Sequence, residues 1–455
     1  MAVYESINPA TGEALEKFEE TKIGELDGIA DRSYGAFMSW RKEPVATRTE
    51  ILRAAAKALR AGKDRFAKTM TLEMGKPIVE GEAEVEKCAL VCDWYAEHGP
   101  SMIERSPRAT DAKESYVRFD PMGVVLAIMP WNFPFWQVFR FAAPALVAGN
   151  GAILKHAPNV SRCALQIEAL LREAGLPEHV FTTILGGPEH ASVLIKHRRV
   201  CAVTLTGSER AGKSVAEQAG RELKKCVLEL GGSDPFIVLE DADLKRAAEV
   251  ATNARLINGG QSCIAAKRFI VVEGVAEAFL SSFVDNMKAR KMGDPLQRDT
   301  QIGPQARLDL REQLHQQVAE SKKRGARIHI GGEVPAGKGA FYPATVLSAV
   351  EPGMPAFDEE TFGPVASVIV AKNANDAIEI ANASDYGLGA AVFTQSRERA
   401  ERIAAELESG AVFVNGMVKS DPRLPFGGVK KSGYGRELAE FGLHEFTNIK
   451  SVWIG

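Results

Sequence analysis

Short apolar segments alternate with amphipathic segments from residue 123 onward, and this rhythm limits the possible folds more than any other feature. The first five apolar segments are GVVLAIMP, GAILKHAP, FTTILGG, VCAVTLTG and KKCVLELGG, with helical stretches such as SRCALQIEALLREAG between some of them. This alternation is typical of parallel strands joined by crossover helices, so we predict a doubly wound α/β sheet. Ligands of such sheets bind at the carboxyl ends of the strands.

A second α/β series follows Gly231 and Gly232, and its predicted strands are DPFIVLED, KRFIVVEG, ASVIVAKN, GAAVFT and GAVFVNG. Helical spacing dominates residues 24–98. Two further segments, KESYVRFDP and NIKSVWIG, are interpreted as edge strands that pair between subunits. We therefore predict three parts in a homodimer or homotetramer. They are a Rossmann-like dinucleotide-binding domain (1–102 and 122–230), an α/β catalytic domain (231–428) and a small β oligomerisation extension (103–121 and 429–455).

Charge and cysteine content exclude several classes of function. Lys plus Arg (56) nearly balance Asp plus Glu (59), so no overall field attracts nucleic acid or an anionic membrane. Prolines and polar residues interrupt the most apolar segment, 123–154, so it is not a membrane span. The six scattered cysteines and the absence of a signal pattern indicate the cytoplasm. Cys88 and Cys92 have helical spacing, but no second ligand pair accompanies them, so no metal site is predicted.

Residues 207–214, GSERAGKS, match the phosphate-loop pattern G-x-x-x-x-G-K-S/T. A predicted strand precedes them and a predicted helix follows, as in nucleoside triphosphatases, and Asp241 offers a magnesium ligand. A nucleotide hydrolase is thus one hypothesis, although it gives no role to the residues described next. The dinucleotide alternative uses only Gly207 and Ser208, at the amino end of a helix that favours a diphosphate.

Three residues suggest a different chemistry. Cys263, in NGGQSCIAAKRF, follows a glycine-rich turn; it is either a buried inert thiol or a nucleophile. Glu229, in VLELGGSDPF, ends a strand as either a surface group or a general base. Asn132, in MPWNFPFWQVFR, either satisfies a turn or donates to an oxyanion.

The segments PWNFP, ELGG, GQSC and EETFGP, in this order, resemble the NAD(P)-dependent aldehyde dehydrogenases. The resemblance runs from INPATGE (7–13) to PFGGVKKSGYGRE (425–437). It implies that Cys263 attacks the aldehyde, while the Asn132 side chain and the Cys263 N–H hold the oxyanion. Glu229 then activates the water that hydrolyses the thioester to a carboxylic acid. A non-catalytic scaffold is the remaining class, and the intact Cys263 and Glu229 argue against it.

The same resemblance implies a dinucleotide site. Its expected residues are Trp131, Lys155, Ala157, Pro158, Gly207, Ser208, Leu230, Glu360 and Phe362, with Lys155 at the adenosine ribose and Glu360 at the nicotinamide ribose. Relatives that prefer NAD commonly have a Glu where this chain has Pro158. Without a carboxylate to repel a 2′-phosphate, NADP is the expected cofactor, with NAD as the alternative.

The stretch WNFPFWQVFRFAAPAL resembles succinate-semialdehyde dehydrogenases, in which an Arg eight residues after the Asn binds the far carboxylate. Arg140 occupies that position, and Ser262 and Ser420 are expected to assist. Some of these enzymes have a further Arg where this chain has Ile257, so another small aliphatic aldehyde or semialdehyde stays open as substrate. Ala265 replaces a second cysteine found in some relatives, so no redox-switching disulfide is expected.

Overall fold

The computed structural model describes residues 3–455, so the first two residues of the predicted 1–102 segment lie outside the described residues. An antiparallel hairpin, β1 (Val3–Ile7) and β2 (Ala14–Glu19), precedes a helical region. Its helices are α1 (Leu26–Trp40), α2 (Val45–Ala61), α3 (Lys63–Met74) and α4 (Ile78–Met102). Two strands follow, β3 (Ser106–Pro107) and β4 (Glu114–Pro121). Within residues 3–455, no helix combines the length and apolar character needed to cross a bilayer.

The first α/β series forms a doubly wound sheet. Its elements are β5 (Val124–Met129), α5 (Trp136–Ala148), β6 (Gly151–His156), α6 (Ser161–Glu173), β7 (Phe181–Ile184), α7 (Pro188–Lys196), β8 (Val200–Thr206), α8 (Glu209–Arg221) and β9 (Lys225–Glu229). The strands are parallel in the order β9-β8-β5-β6-β7. β5 and β6 are almost continuously apolar because helices cover both faces.

The second series contains eight strands, and all of them except the short β15 form one seven-stranded sheet. Its elements are β10 (Pro235–Val238), α9 (Leu244–Leu256), β11 (Arg268–Val272), α10 (Glu273–Lys288), α11 (Leu308–Lys323), β12 (Arg327–Ile330), β13 (Thr345–Ser348), α12 (Pro355–Asp358), β14 (Val365–Ala371), α13 (Ala374–Asn382), β15 (Tyr386–Gly387), β16 (Gly389–Phe393), α14 (Arg397–Glu406) and β17 (Ala411–Val414). The order is β12-β13-β14-β11-β10-β16-β17, and β12 alone runs antiparallel to its neighbour. The predicted α/β class is thus confirmed.

The C-terminal segment contributes β18 (Val429–Lys430), β19 (Gly433–Tyr434), α15 (Ala439–Glu445) and β20 (Thr447–Ile454). β20 pairs with β4 along its whole length, and β3 flanks β4. The two segments predicted to pair between subunits therefore pair with each other within one chain. β19 does not join this small sheet, because it pairs antiparallel with β9 and extends the first large sheet.

Candidate active site

The loop that carries Cys263 leaves α9 through a tight left-handed turn. Asn258 has φ of 55° and Gly260 has φ of 77°. A Cβ at Gly260 would lie 2.2 Å from the carbonyl oxygen of Gly363, so no other residue fits without moving that backbone. The glycines before GQSC therefore set the position of the cysteine.

Buried amides tie this loop to the PWNFP segment. The Asn258 side chain donates to the carbonyl oxygens of Asn132 (2.7 Å) and Gln261 (3.0 Å). The Asn132 side-chain amide also donates to Gln261 O, at 3.0 Å. Because an amide nitrogen carries two hydrogens, the second N–H of Asn132 can serve an oxyanion next to Cys263.

Lys267 fixes the other side of the loop and was not predicted from the sequence. Its buried ammonium donates to the carbonyl oxygens of Ser262 (3.0 Å), Cys263 (2.8 Å) and Ala265 (3.0 Å). A lysine directly before the apolar strand β11 was the available signal, since a charge there must be paired or hydrogen-bonded. Its ammonium also lies 3.7 Å from Glu360 Oε1.

Cys263 and Asn132 line one cavity of about 630 Å³ at the carboxyl edge of the first sheet. Six residues predicted to bind the cofactor line it as well: Trp131, Gly207, Ser208, Leu230, Glu360 and Phe362. The ring of Phe362 packs edge-on against Trp131, with centroids 5.7 Å apart, and Glu360 accepts a 3.0 Å hydrogen bond from the Gly232 N–H. The structure thus brings together residues from five separate motifs.

Lys155, Ala157 and Pro158 lie outside the wall of this cavity, at the carboxyl end of β6 and in the 3-10 turn Pro158–Val160. They share the sheet edge with the PWNFP segment because β5 and β6 pair in register up to Met129 and His156. Lys155 is buried, and this burial lowers its pKa.

The GSERAGKS segment does not form a phosphate loop. Ser208 caps α8, and its side chain accepts a hydrogen bond from the Ala211 N–H. Gly212 and Lys213 therefore lie inside the helix. A Cβ at Gly212 would lie 2.6 Å from Leu230 Cδ1, so this glycine serves the packing of Leu230 against the helix. Lys213 borders the cavity, but it is largely exposed and pairs with Glu209. Because residues 209–214 are helical rather than a loop, the triphosphatase interpretation of the motif is wrong.

Glu229 ends β9, and the C-terminal segment holds it there. Glu229 pairs with Gly433 across β9 and β19, while the next N–H, that of Leu230, donates to Ser432 O at 3.0 Å. The Glu229 carboxyl group is buried without a hydrogen-bond partner in residues 3–455 and is not on the cavity wall. Burial and the nearby Glu437 carboxylate raise the pKa of Glu229 well above its usual value.

Arg140 occupies a fully buried position on α5. Its guanidinium forms an ion pair with Glu437, lies 4.5 Å above the Phe426 ring and donates to Thr206 Oγ1 at 3.4 Å. Glu437 was not singled out in the sequence, although it lies in the YGRE segment that carries the resemblance. The role of Arg140 in substrate binding stays a prediction.

The two remaining substrate residues differ in their surroundings. Ser262 is buried, and its backbone carbonyl is one of the acceptors of Lys267. Ser420 is also buried, and its hydroxyl accepts a 2.7 Å hydrogen bond from Lys87, a residue that the sequence reasoning missed.

The local electrostatics favour the protonated form of the Cys263 thiol. Burial raises the pKa of Cys263 to about 12, against the opposing charges of Arg140 and Lys267. As a nucleophile this thiol would have to lose its proton during attack, and the positive charges of Arg140 and Lys267 would favour the thiolate at that moment.

Comparison with known proteins agrees with this arrangement. Residues 2–452 match the family described as the aldehyde dehydrogenase family. The chain belongs to the aldehyde dehydrogenase family. Among aldehyde dehydrogenases, the chain is 51% identical over 448 residues to the succinate semialdehyde dehydrogenase (NAD(P)+) of Escherichia coli K12, covering 98% of this chain and 97% of the relative. A probable succinate-semialdehyde dehydrogenase (NADP(+)) of Synechocystis is 49% identical, with 99% of each chain covered.

Solved aldehyde dehydrogenases have the same fold. The crystal structure of succinic semialdehyde dehydrogenase from Streptococcus pyogenes, in complex with NADP+, superposes with a TM-score of 0.97 at 38% identity and covers 99% of each chain. The family predicted from the four sequence motifs is therefore confirmed.

Proposed function

We propose that this protein oxidises succinate semialdehyde to succinate, with NADP as the preferred cofactor and NAD as the alternative. The observation that carries the proposal is the shared cavity of Cys263 and Asn132 at the carboxyl edge of a doubly wound sheet. The relatives named for succinate semialdehyde support this substrate, and their printed cofactors support NADP. Another small aliphatic aldehyde or semialdehyde is the second candidate.

The cavity fits a dinucleotide. The amino end of α8 directs free N–H groups and the positive end of its dipole toward the cavity, which favours a diphosphate near Gly207 and Ser208. Leu230 and Phe362 offer apolar walls, and the Glu360 carboxylate can accept hydrogen bonds from ribose hydroxyls. When bound, the nicotinamide of the cofactor accepts a hydride from the substrate carbon.

Cys263 begins the reaction by attacking the aldehyde carbon through Sγ while its thiol proton passes to water in the cavity. The carbonyl oxygen becomes an oxyanion, which accepts hydrogen bonds from the Asn132 side chain and the Cys263 N–H. Removing one such donor typically lowers kcat by about 10²–10³, and we expect this loss for Asn132→Ala. After hydride loss the substrate remains bound to Cys263 as a thioester.

Glu229 completes the cycle as the base that takes a proton from the hydrolytic water. In the described position the Glu229 carboxyl group lies near Glu437, whose negative charge favours the protonated form of Glu229. To act as a base, the Glu229 side chain must turn toward the cavity and away from Glu437. Glu229→Gln keeps attack on the aldehyde but slows thioester hydrolysis. A stopped-flow burst of reduced nicotinamide, followed by slow turnover, is the expected result; a variant without a burst contradicts this role.

The deciding experiment mixes the purified protein with succinate semialdehyde and either NADP or NAD and follows the reduced nicotinamide. We expect activity that Cys263→Ala abolishes. A higher kcat/KM for butyraldehyde than for succinate semialdehyde supports the alternative substrate. ATP hydrolysis that is lost in Lys213→Ala would instead indicate a phosphate-loop nucleotide hydrolase. No activity with any aldehyde would favour a non-catalytic scaffold.

We further propose a cytoplasmic homodimer or homotetramer. Among residues 3–455, β4 is the sole partner strand of β20, so the outer edge of β20 can pair with another strand. Ile449 and Trp453 on β20 are exposed apolar side chains, which supports an interface there. Light scattering should report a dimer or tetramer, and the double substitution Ile449→Lys with Trp453→Lys should reduce its mass. An unchanged mass argues against this edge.

A further inference from the structure

A second cavity, of about 650 Å³, lies against the same catalytic segments. Phe133 and Trp136, which follow Asn132, form part of its wall, and Ile257, which precedes the left-handed turn, forms another part. The first cavity is the one proposed above for the dinucleotide. The second is therefore available to the end of the substrate that points away from Cys263.

Lys87 is the most deeply placed cation of this second cavity. It projects from α4, and its ammonium lies 4.2 Å above the Trp136 ring and 2.7 Å from Ser420 Oγ. An ammonium has three donors, and the described hydrogen bonds use one of them. Within residues 3–455, Lys87 forms no ion pair, so its charge is available to a ligand.

The carboxylates around Lys87 and its cavity already have other partners. On the cavity wall, Glu80 accepts a hydrogen bond from the Asn258 N–H, and Asp299 pairs with Lys291. Glu84 pairs with Lys76 and accepts hydrogen bonds from the N–H groups of Phe135 and Trp136. Asp421 accepts two side-chain hydrogen bonds, at 2.8 and 2.6 Å, from Arg423. None of these carboxylates neutralises Lys87 by direct contact.

Other cations near the cavity are less suited to a substrate anion. Arg140 is paired with Glu437. Arg298 forms a bidentate pair with Glu82. Arg290 donates to Asn253 at an exposed position, and Ile257 is apolar where some relatives have an Arg. Lys87 remains as the half-buried cation without an acidic partner.

We propose that Lys87, together with Ser420, binds the far carboxylate of the aldehyde substrate and thereby selects short aldehyde acids over uncharged aldehydes. This inference rests on the proposed aldehyde oxidation. The Ser420 hydroxyl accepts from Lys87 and can donate its own hydrogen to a carboxylate oxygen, so both groups can contact one anion. The Trp136 ring, 4.2 Å from the ammonium, gives it a cation–π contact at the cavity wall. Lys87 is thus a specificity-determining residue that contacts the substrate.

Electrostatics agree with an anion at this place. Burial, assisted by the positive charge of Arg140, lowers the pKa of Lys87 to about 8. A carboxylate between these two cations would relieve their repulsion and favour the charged form of Lys87.

The first test compares two aldehydes of equal chain length, succinate semialdehyde and butyraldehyde. We expect Lys87→Met, which keeps an unbranched side chain on Trp136, to lower kcat/KM for succinate semialdehyde by about ten- to a hundredfold, mainly through KM. Butyraldehyde should change by less than about threefold, since it has no carboxylate to lose a contact. Lys87→Arg should restore much of the preference, and Arg298→Met, at the same cavity, serves as the matched control.

An equal loss for both aldehydes in Lys87→Met would overturn the proposal, because a merely structural lysine predicts that result. A loss in Arg298→Met as large as that in Lys87→Met would do the same. A wild-type protein that oxidises no aldehyde refutes the proposed function instead.

A binding measurement tests the role of Lys87 even if the wild-type protein oxidises no aldehyde. Titration calorimetry with succinate and with butyrate compares anions with and without a second carboxylate. We expect wild type to bind succinate more tightly than butyrate, and Lys87→Met to lose that difference. A wild type without the difference, or a Lys87→Met variant that retains it, overturns the proposal.

Discussion

The Arg140–Glu437 ion pair gives a direct test of how the site is held together. The side chains are 2% and 4% exposed, so water cannot replace either partner. Replacing Arg140 with Met leaves the Glu437 carboxylate buried without its cation, and removing one partner of such a pair costs about 3–5 kcal/mol. We expect Arg140→Met to lower the free energy of unfolding by this amount. Urea denaturation followed by circular dichroism measures the change.

The double variant, Arg140→Met with Glu437→Leu, removes both charges. Because replacing a whole buried pair by apolar groups is often neutral or stabilising, its stability should return to within about 1 kcal/mol of wild type. An Arg140→Met protein as stable as wild type would refute this reasoning.

The double variant, Arg140→Met with Glu437→Leu, also separates the contribution of Arg140 to stability from its contribution to substrate binding. If Arg140 also contacts the substrate carboxylate, the refolded double variant loses kcat/KM for succinate semialdehyde but not for butyraldehyde. Equal losses for both aldehydes would assign Arg140 a structural role alone.

Three further predictions follow from single contacts. Lys213→Ala should leave aldehyde oxidation within about twofold of wild type, because Lys213 borders the cavity only as a largely exposed side chain that pairs with Glu209; a tenfold loss in kcat contradicts this. Gly212→Val should raise the KM for NADP more than the KM for the aldehyde, because the new side chain collides with Leu230; equal KM values in wild type and variant would refute the contact. The KM for succinate semialdehyde should rise as the pH passes through about 8, since the carboxylate binds the charged form of Lys87 and deprotonation removes it, while the KM for butyraldehyde stays flat. The charged or titratable groups that face Lys87 are Glu84, Cys88, Arg140 and Asp421.

Much of the fold was predictable because the short apolar runs that indicate its strands are local features of the sequence. The five strands of the first sheet and the strands β10, β11, β14, β16 and β17 each read as short apolar runs, and all appear at the expected places. The hairpin of β1 and β2 and the strand β12 were not predicted. Their side chains are largely exposed or mixed, so hydrophobic periodicity carries little information about them.

Site residues that lie within a recognisable motif could be predicted from the sequence. Residues whose contacts join distant parts of the chain could not. Cys263 and Asn132 were recognised from neighbouring residues, and the structure places them in one cavity. Lys87 and Glu437 were missed because their partners, Ser420 and Arg140, lie far away in the sequence. Lys87 lies on the helix α4 and Glu437 lies just before α15. A charged side chain is normally solvated, and only tertiary packing shows that these two are enclosed.

Because β19 pairs with β9, the site is complete only after the C-terminal segment has been synthesised. Glu229 and Leu230 are held by Ser432 and Gly433, and Glu437 lies just beyond. A ribosome makes the cysteine and its amide clamps well before these residues emerge, and domains generally fold from the amino end first. The nascent chain therefore carries Cys263 before the strand that anchors Glu229. Chains that terminate prematurely near Lys431 would retain the thiol without the finished enzyme around it.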